Sequence, residues 1–212
     1  MKKQSLEHGA ARGAAQVGGV LLHGRGGIPD DMVEVAGRLA IPAVRWVAPA
    51  ADGRAWYPER FMEPLEVNEP FLTEAVLRCE QAMVDATEHG RIGVDRSLVV
   101  GFSQGACLAT EFLLRHPGRC RAAVLFTGGL IGPPGTLWRT ARASLDGLHV
   151  FMTGSDIDEW VPFARVRETA DVLRDLGATV ELRLYTGRPH IISDREIGEA
   201  RTFLEHVAEL HT

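Results

Sequence analysis

The residues best suited to chemistry lie at Gly101-Phe102-Ser103-Gln104-Gly105, where an apolar run stops at a serine set between two glycines. A serine hydroxyl is a poor nucleophile at neutral pH, so it needs a base within hydrogen-bond reach and a third group to orient that base. His190 can be the base, and an aspartate between the two, Asp158 or Asp156, can be the orienting acid. Such a set moves an acyl group through the serine oxygen. The chain order serine, acid, histidine separates this set from serine hydrolases that run histidine, acid, serine or acid, histidine, serine.

These groups act together only if the chain places them at one end of a common scaffold. Leu98 to Val100 form a β-branched-rich run typical of a buried parallel strand, and Ala106 to Arg115 follow with good helix formers. A strand that turns sharply into a helix crowds the backbone two residues either side of its apex, and Gly101 and Gly105 relieve that crowding. Ser103 is then exposed at the amino end of a helix, where unpaired N–H groups favour developing negative charge.

A second apolar run, Val17 to Leu22, ends in His23-Gly24-Arg25-Gly26-Gly27, which reads as a strand leading into a glycine-rich loop. Pro29, Asp30 and Asp31 start a helix through Leu39. Further strands are expected at Ala43–Val47, Ala122–Phe126, His149–Thr153 and Thr179–Tyr185, and further helices at Phe71–His89, Leu137–Leu145, Phe163–Leu176 and Asp194–Leu210. Met1 to Ala15 read as a weakly ordered or edge segment. Pro49 to Pro70 have no steady period, and long loops of this kind in compact domains are usually functional.

Alternating strands and helices predict an α/β fold, with a mostly parallel central sheet covered on both faces. Ligands of such sheets bind beyond the carboxyl ends of the strands. The candidate residues fall at four of those ends: His23 to Gly27, Ser103, Asp156 or Asp158, and His190. The connection between the strands at Ala122 and His149 leaves no room for a separate cap domain.

The 212 residues suit a single domain spanning 1–212, and at 45% hydrophobic they can bury a core without covalent staples. A net charge of −5 gives no electrostatic footprint for nucleic acid. No run is long enough for membrane insertion and no leader is visible, so a cytoplasmic location is expected. Cys79, Cys107 and Cys120 lack disulfide or metal-site spacing and are expected to be reduced thiols. Among the eight histidines, His23 ends a strand before the glycine loop and suits a structural role, whereas His190 lies at a late strand exit after the acid.

Leu22-His23-Gly24-Arg25-Gly26-Gly27, Gly101 to Ala106, Asp158 to Pro162 and Pro189-His190 resemble, over essentially the whole chain, the phospholipase/carboxylesterase family of α/β-hydrolases. That family includes bacterial carboxylesterases and acyl-protein thioesterases. The resemblance implies Ser103 as nucleophile, His190 as base, Asp158 as acid, and an oxyanion hole from the backbone N–H groups of Arg25 and Gln104. Two departures stand out: Arg25 and Gly27 replace an apolar residue and an acid, and Pro189 precedes His190. The Arg25 guanidinium would add a charge at the mouth. Ala55-Trp56-Tyr57-Pro58 resembles the bacterial branch, and Trp56 and Trp160 are candidate substrate-binding residues.

The expected activity is hydrolysis of small-molecule carboxylic esters of short to medium chain, with no metal and no cofactor. Thioesters or lysophospholipids are the alternative substrates for the same residues. A homodimer is a possible assembly, and a non-catalytic binding role would require loss of a triad member.

Overall fold

The computed structural model describes residues 5–138 and 144–209. Seven strands make one sheet: β1 (Leu6–Gly9), β2 (Val17–Leu22), β3 (Val44–Ala48), β4 (Ser97–Phe102), β5 (Ala122–Phe126), β6 (His149–Ser155) and β7 (Thr179–Tyr185). Their order is β1-β3-β2-β4-β5-β6-β7, with β1 antiparallel on the edge and all other pairs parallel. The amino-terminal segment thus supplies an edge strand.

The parallel strands are apolar on both faces because helices cover both. Val20, Leu22, Val99, Leu125 and Met152 pack with α3 (Phe71–Ala86), α4 (Gln104–Arg115) and α5 (Phe163–Asp175). Leu21, Val100, Val124, Phe126 and Phe151 point the other way, onto α1 (Pro29–Leu39) and α6 (Asp194–Glu209). The start of α1 follows the local sequence: Pro29 opens it, and Asp31 Oδ2 accepts the Ile28 N–H at 2.8 Å.

The α3 helix ends at Ala86, three residues before the expected His89. Thr87 Oγ1 donates back to Met83 O at 2.8 Å, and Glu88 and His89 both take positive φ, which helix cannot continue through. The segment between Pro49 and Pro70 contains a single 3₁₀ turn, Asp52–Arg54, and the short helix α2, Leu65–Asn68. The helix expected at Leu137–Leu145 falls largely on residues 139–143, outside those described.

The register brings the strand ends level. Leu22 pairs with Gly101, Phe102 with Phe126, Phe126 with Thr153, and Ser155 with Tyr185. The loops leaving β2, β4, β6 and β7 therefore open onto one rim of the sheet.

Candidate active site

Ser103 sits between β4 and α4 with φ 54° and ψ −119°, a conformation that side chains rarely adopt. Its amide donates to Phe126 O at 3.0 Å, and its carbonyl accepts from Ala106 and Cys107. The flanking glycines permit this. A Cβ on Gly101 would lie 2.5 Å from Gly105 O, and one on Gly105 would lie 2.5 Å from the Leu22 carbonyl carbon and 2.6 Å from His23 O. The helix thus packs directly on its own strand and on the end of β2.

His190 reaches the serine from the loop after β7. Its Nε2 lies 2.9 Å from Ser103 Oγ and its Nδ1 2.7 Å from Asp158 Oδ2. A carboxylate only accepts, so Nδ1 carries the proton and Nε2 accepts from the serine hydroxyl. The Asp158 side chain is fully buried, and its other oxygen, Oδ1, accepts the Trp160 and Val161 amides, both at 2.9 Å. Asp156 lies elsewhere in the network: its Oδ1 accepts the Gly187 amide at 2.7 Å and shapes the base's loop. The geometry separates two aspartates that the sequence left open.

The glycine loop after β2 comes close to the serine, since a Cβ on Gly24 would lie 3.3 Å from Ser103 Cβ. Among the described residues no acceptor takes the amide N–H of Arg25 or of Gln104. His23 supports this loop from behind. Its Nε2 accepts the Ala51 amide at 3.1 Å and its Nδ1–H donates to Gly24 O at 2.8 Å. Burial lowers its pKa from the ordinary value, so the ring is neutral.

The side chains of Arg25 and Gln104 both hold the Trp56–Glu59 strip. Gln104 Oε1 accepts the Trp56 amide at 3.0 Å, and its Nε2 donates to Tyr57 O at 2.8 Å. The Arg25 guanidinium donates to the carbonyls of Tyr57, Pro58 and Glu59 at 2.9, 2.8 and 2.6 Å. Neither clamp was visible in sequence, because each joins residues more than thirty positions apart.

The two tryptophans part company. Trp56 is 4% exposed, its indole N–H donates to His23 O at 2.7 Å, and its ring packs 4.8 Å from the His23 ring. A buried indole needs an acceptor, and this one finds it in the carbonyl of His23, at the start of the glycine loop. Trp160 is 64% exposed, with its ring 6.4 Å from that of His190. Phe102 packs on the same imidazole at 5.1 Å.

Cys107, one turn past the serine, is buried and accepts the Gly129 amide at 3.4 Å. Burial pushes its thiol up to about 11. Among the described residues no cluster of three or more His, Cys, Asp or Glu is placed to hold a metal, and no helix is long and apolar enough to cross a membrane.

A serine at a glycine-flanked strand-to-helix elbow, with a histidine at the exit of the last strand of a mostly parallel sheet, defines an α/β-hydrolase. Within that class, the chain belongs to the phospholipase/carboxylesterase family, whose model matches residues 8–208, and it is a carboxylic ester hydrolase. The phospholipase/carboxylesterase of Dyadobacter fermentans is 33% identical, with a TM-score of 0.88 over 95% of this chain and 96% of that one. Esterase PE8 is 25% identical, with a TM-score of 0.79 over 98% of this chain and all of its own. The Bacillus cereus carboxylesterase shares the fold at 20% identity and a TM-score of 0.76, over 96% of this chain and 94% of that one. No curated protein matches the chain.

Proposed function

We propose that the protein is a serine carboxylesterase acting on short to medium carboxylic esters, with Ser103 as nucleophile, His190 as general base and acid, and Asp158 as the orienting carboxylate. The observation that carries this reading is the continuous hydrogen-bond chain Ser103 Oγ to His190 Nε2 at 2.9 Å and His190 Nδ1 to Asp158 Oδ2 at 2.7 Å.

In the first half-reaction, Ser103 Oγ attacks the ester carbonyl carbon while His190 Nε2 takes the hydroxyl proton. The carbonyl π electrons move to oxygen, and the free amides of Arg25 and Gln104 receive the resulting oxyanion, assisted by the amino end of α4. Asp158 stabilises the imidazolium. On collapse the carbon–oxygen bond to the alcohol breaks and His190 passes its proton to that oxygen. Water, deprotonated by His190, then attacks the acyl-serine, releasing the acid and restoring the hydroxyl.

Trp160 and Phe102, which flank the imidazole, are suited to contact the apolar part of the substrate, while Trp56 holds the oxyanion loop. The relatives named as esterases support an ester over a thioester.

The test is hydrolysis of p-nitrophenyl esters from acetate to palmitate by the wild type and Ser103→Ala. Activity that peaks at short or medium chains and disappears in the variant is expected. Equal rates in the two proteins would overturn the mechanism, and a maximum at palmitate would overturn the substrate class.

A further inference from the structure

His190 stands in a loop, residues 186–193, that belongs to no strand or helix. A base must nonetheless be held close to its productive position, since a misplacement of about 1 Å can cost on the order of a hundredfold in rate. One side chain supplies that restraint. Arg188 is only 7% exposed, and its Nη1 donates to Pro189 O at 2.6 Å and to Ile191 O at 2.7 Å, the carbonyls immediately before and after His190.

The rest of the guanidinium ties this grip to the scaffold. Nη2 donates to Thr127 Oγ1 at 2.7 Å, and Nε faces Glu196 Oε2 at 3.3 Å, an ionic contact rather than an aligned hydrogen bond. Glu196, in the first turn of α6, is fully buried, and the same Oε2 accepts the Ser193 amide and hydroxyl at 2.9 and 2.8 Å. Thr127 is fixed in turn, with φ 49° and its amide on Thr153 O at 3.2 Å. It directly follows Phe126, whose carbonyl takes the Ser103 amide. Nucleophile and base are therefore both referenced to the dipeptide Phe126-Thr127, one by a backbone bond and the other through Arg188.

We infer that the buried Arg188–Glu196 pair is the positioning device of the base, holding His190 relative to Ser103 through Thr127 and governing turnover rather than substrate binding. The inference rests on the esterase reading above and deepens it. An arginine fits the task because its planar fork can meet two carbonyls, a hydroxyl and a carboxylate at once, which a lysine cannot.

The test replaces both charges together, Arg188→Met with Glu196→Gln, so that no lone charge is left buried. With the short-chain ester, assayed well below the lowered Tm that loss of the buried hydrogen bonds will bring, the expected result is a kcat lowered roughly tenfold to a hundredfold and a KM within about twofold of wild type. The low-field proton resonance of the His190–Asp158 hydrogen bond should weaken or shift with it. In a His190→Ala background the same two changes should cost nothing further. Thr127→Val, which removes only the hydroxyl acceptor, should lower kcat several-fold and keeps the test alive if the double variant fails to fold. Unchanged kcat in either folded variant, or an equal loss in the His190→Ala background, would overturn the positioning role alone. Full activity in His190→Ala itself would overturn the esterase reading.

Discussion

Asp158 divides its two oxygens between the imidazole and two backbone amides, whereas Asp156, two residues earlier, serves only a loop amide and its neighbouring serine. The proposed mechanism therefore predicts unequal effects. Asp158→Asn should present the wrong tautomer to Ser103 and lower kcat by about 10³- to 10⁴-fold. Asp156→Asn keeps an acceptor for Gly187 and should change kcat by less than about tenfold, a difference that steady-state kinetics on one ester would resolve. A second prediction concerns His23, which burial holds neutral. Its folded pKa lies below the unfolded one, so above the unfolded value of about 6.5 both states are neutral and no stability depends on it. As pH falls below that value the unfolded chain takes a proton that the folded chain refuses, and stability is lost. The Tm should fall between pH 7 and 5, and His23→Gln should flatten that fall. At this scale the sequence marked Ser103 and His190 by local pattern, and placed Asp158 by family resemblance. Arg188 carried no such mark, because its role depends on Thr127, 61 residues earlier, and on a carboxylate in the following helix.

The elbow shows how elements, rather than residues, set the serine's position. Helix α4 packs so closely on β4 and β2 that a side chain at Gly105 would run into the Leu22 and His23 carbonyls. Gly105→Ala must push two backbone segments apart, and it should destabilise the fold by about 3 kcal/mol or more, at the upper end of overpacking costs. Denaturant unfolding would measure this, and a loss below 1 kcal/mol would mean that the elbow yields more easily than its packing indicates. Trp56→Phe removes the indole N–H together with part of the ring system, so it strands the buried His23 carbonyl and leaves a cavity, at a cost of about 2 kcal/mol or more by the same measurement. The limits of β2 to β7 were legible to within two residues because apolar runs are interrupted by polar loops. The long segment from Pro49 to Pro70 was legible only as a loop, since side chains from Arg25 and Gln104 fix its course and no internal periodicity does.

Across the whole molecule, two apolar layers enclose the sheet, and all three cysteines lie inside one of them. Burial pushes the Cys107 and Cys120 thiols up to about 11 and about 12, so almost none of either is thiolate at neutral pH. Iodoacetamide at pH 8 should leave native activity intact and label all three only as the chain unfolds, with labelling kinetics that follow unfolding. Rapid native labelling accompanied by lost activity would instead implicate a thiol in the chemistry. The alternation of strands and helices made the parallel sheet legible, but the return of Leu6–Gly9 as an antiparallel edge against β3 was legible only as an edge segment. Four residues with a single large apolar side chain, Leu6, do not reveal which sheet margin they will join.

The strip from Trp56 to Glu59 hangs from the side chains of Arg25 and Gln104, whose amides face the developing oxyanion in the proposed reaction. In the proposed reaction, a substrate that displaced this strip would disturb both oxyanion donors through those two side chains, so oversized esters would behave as slow substrates rather than as ligands that fail to bind.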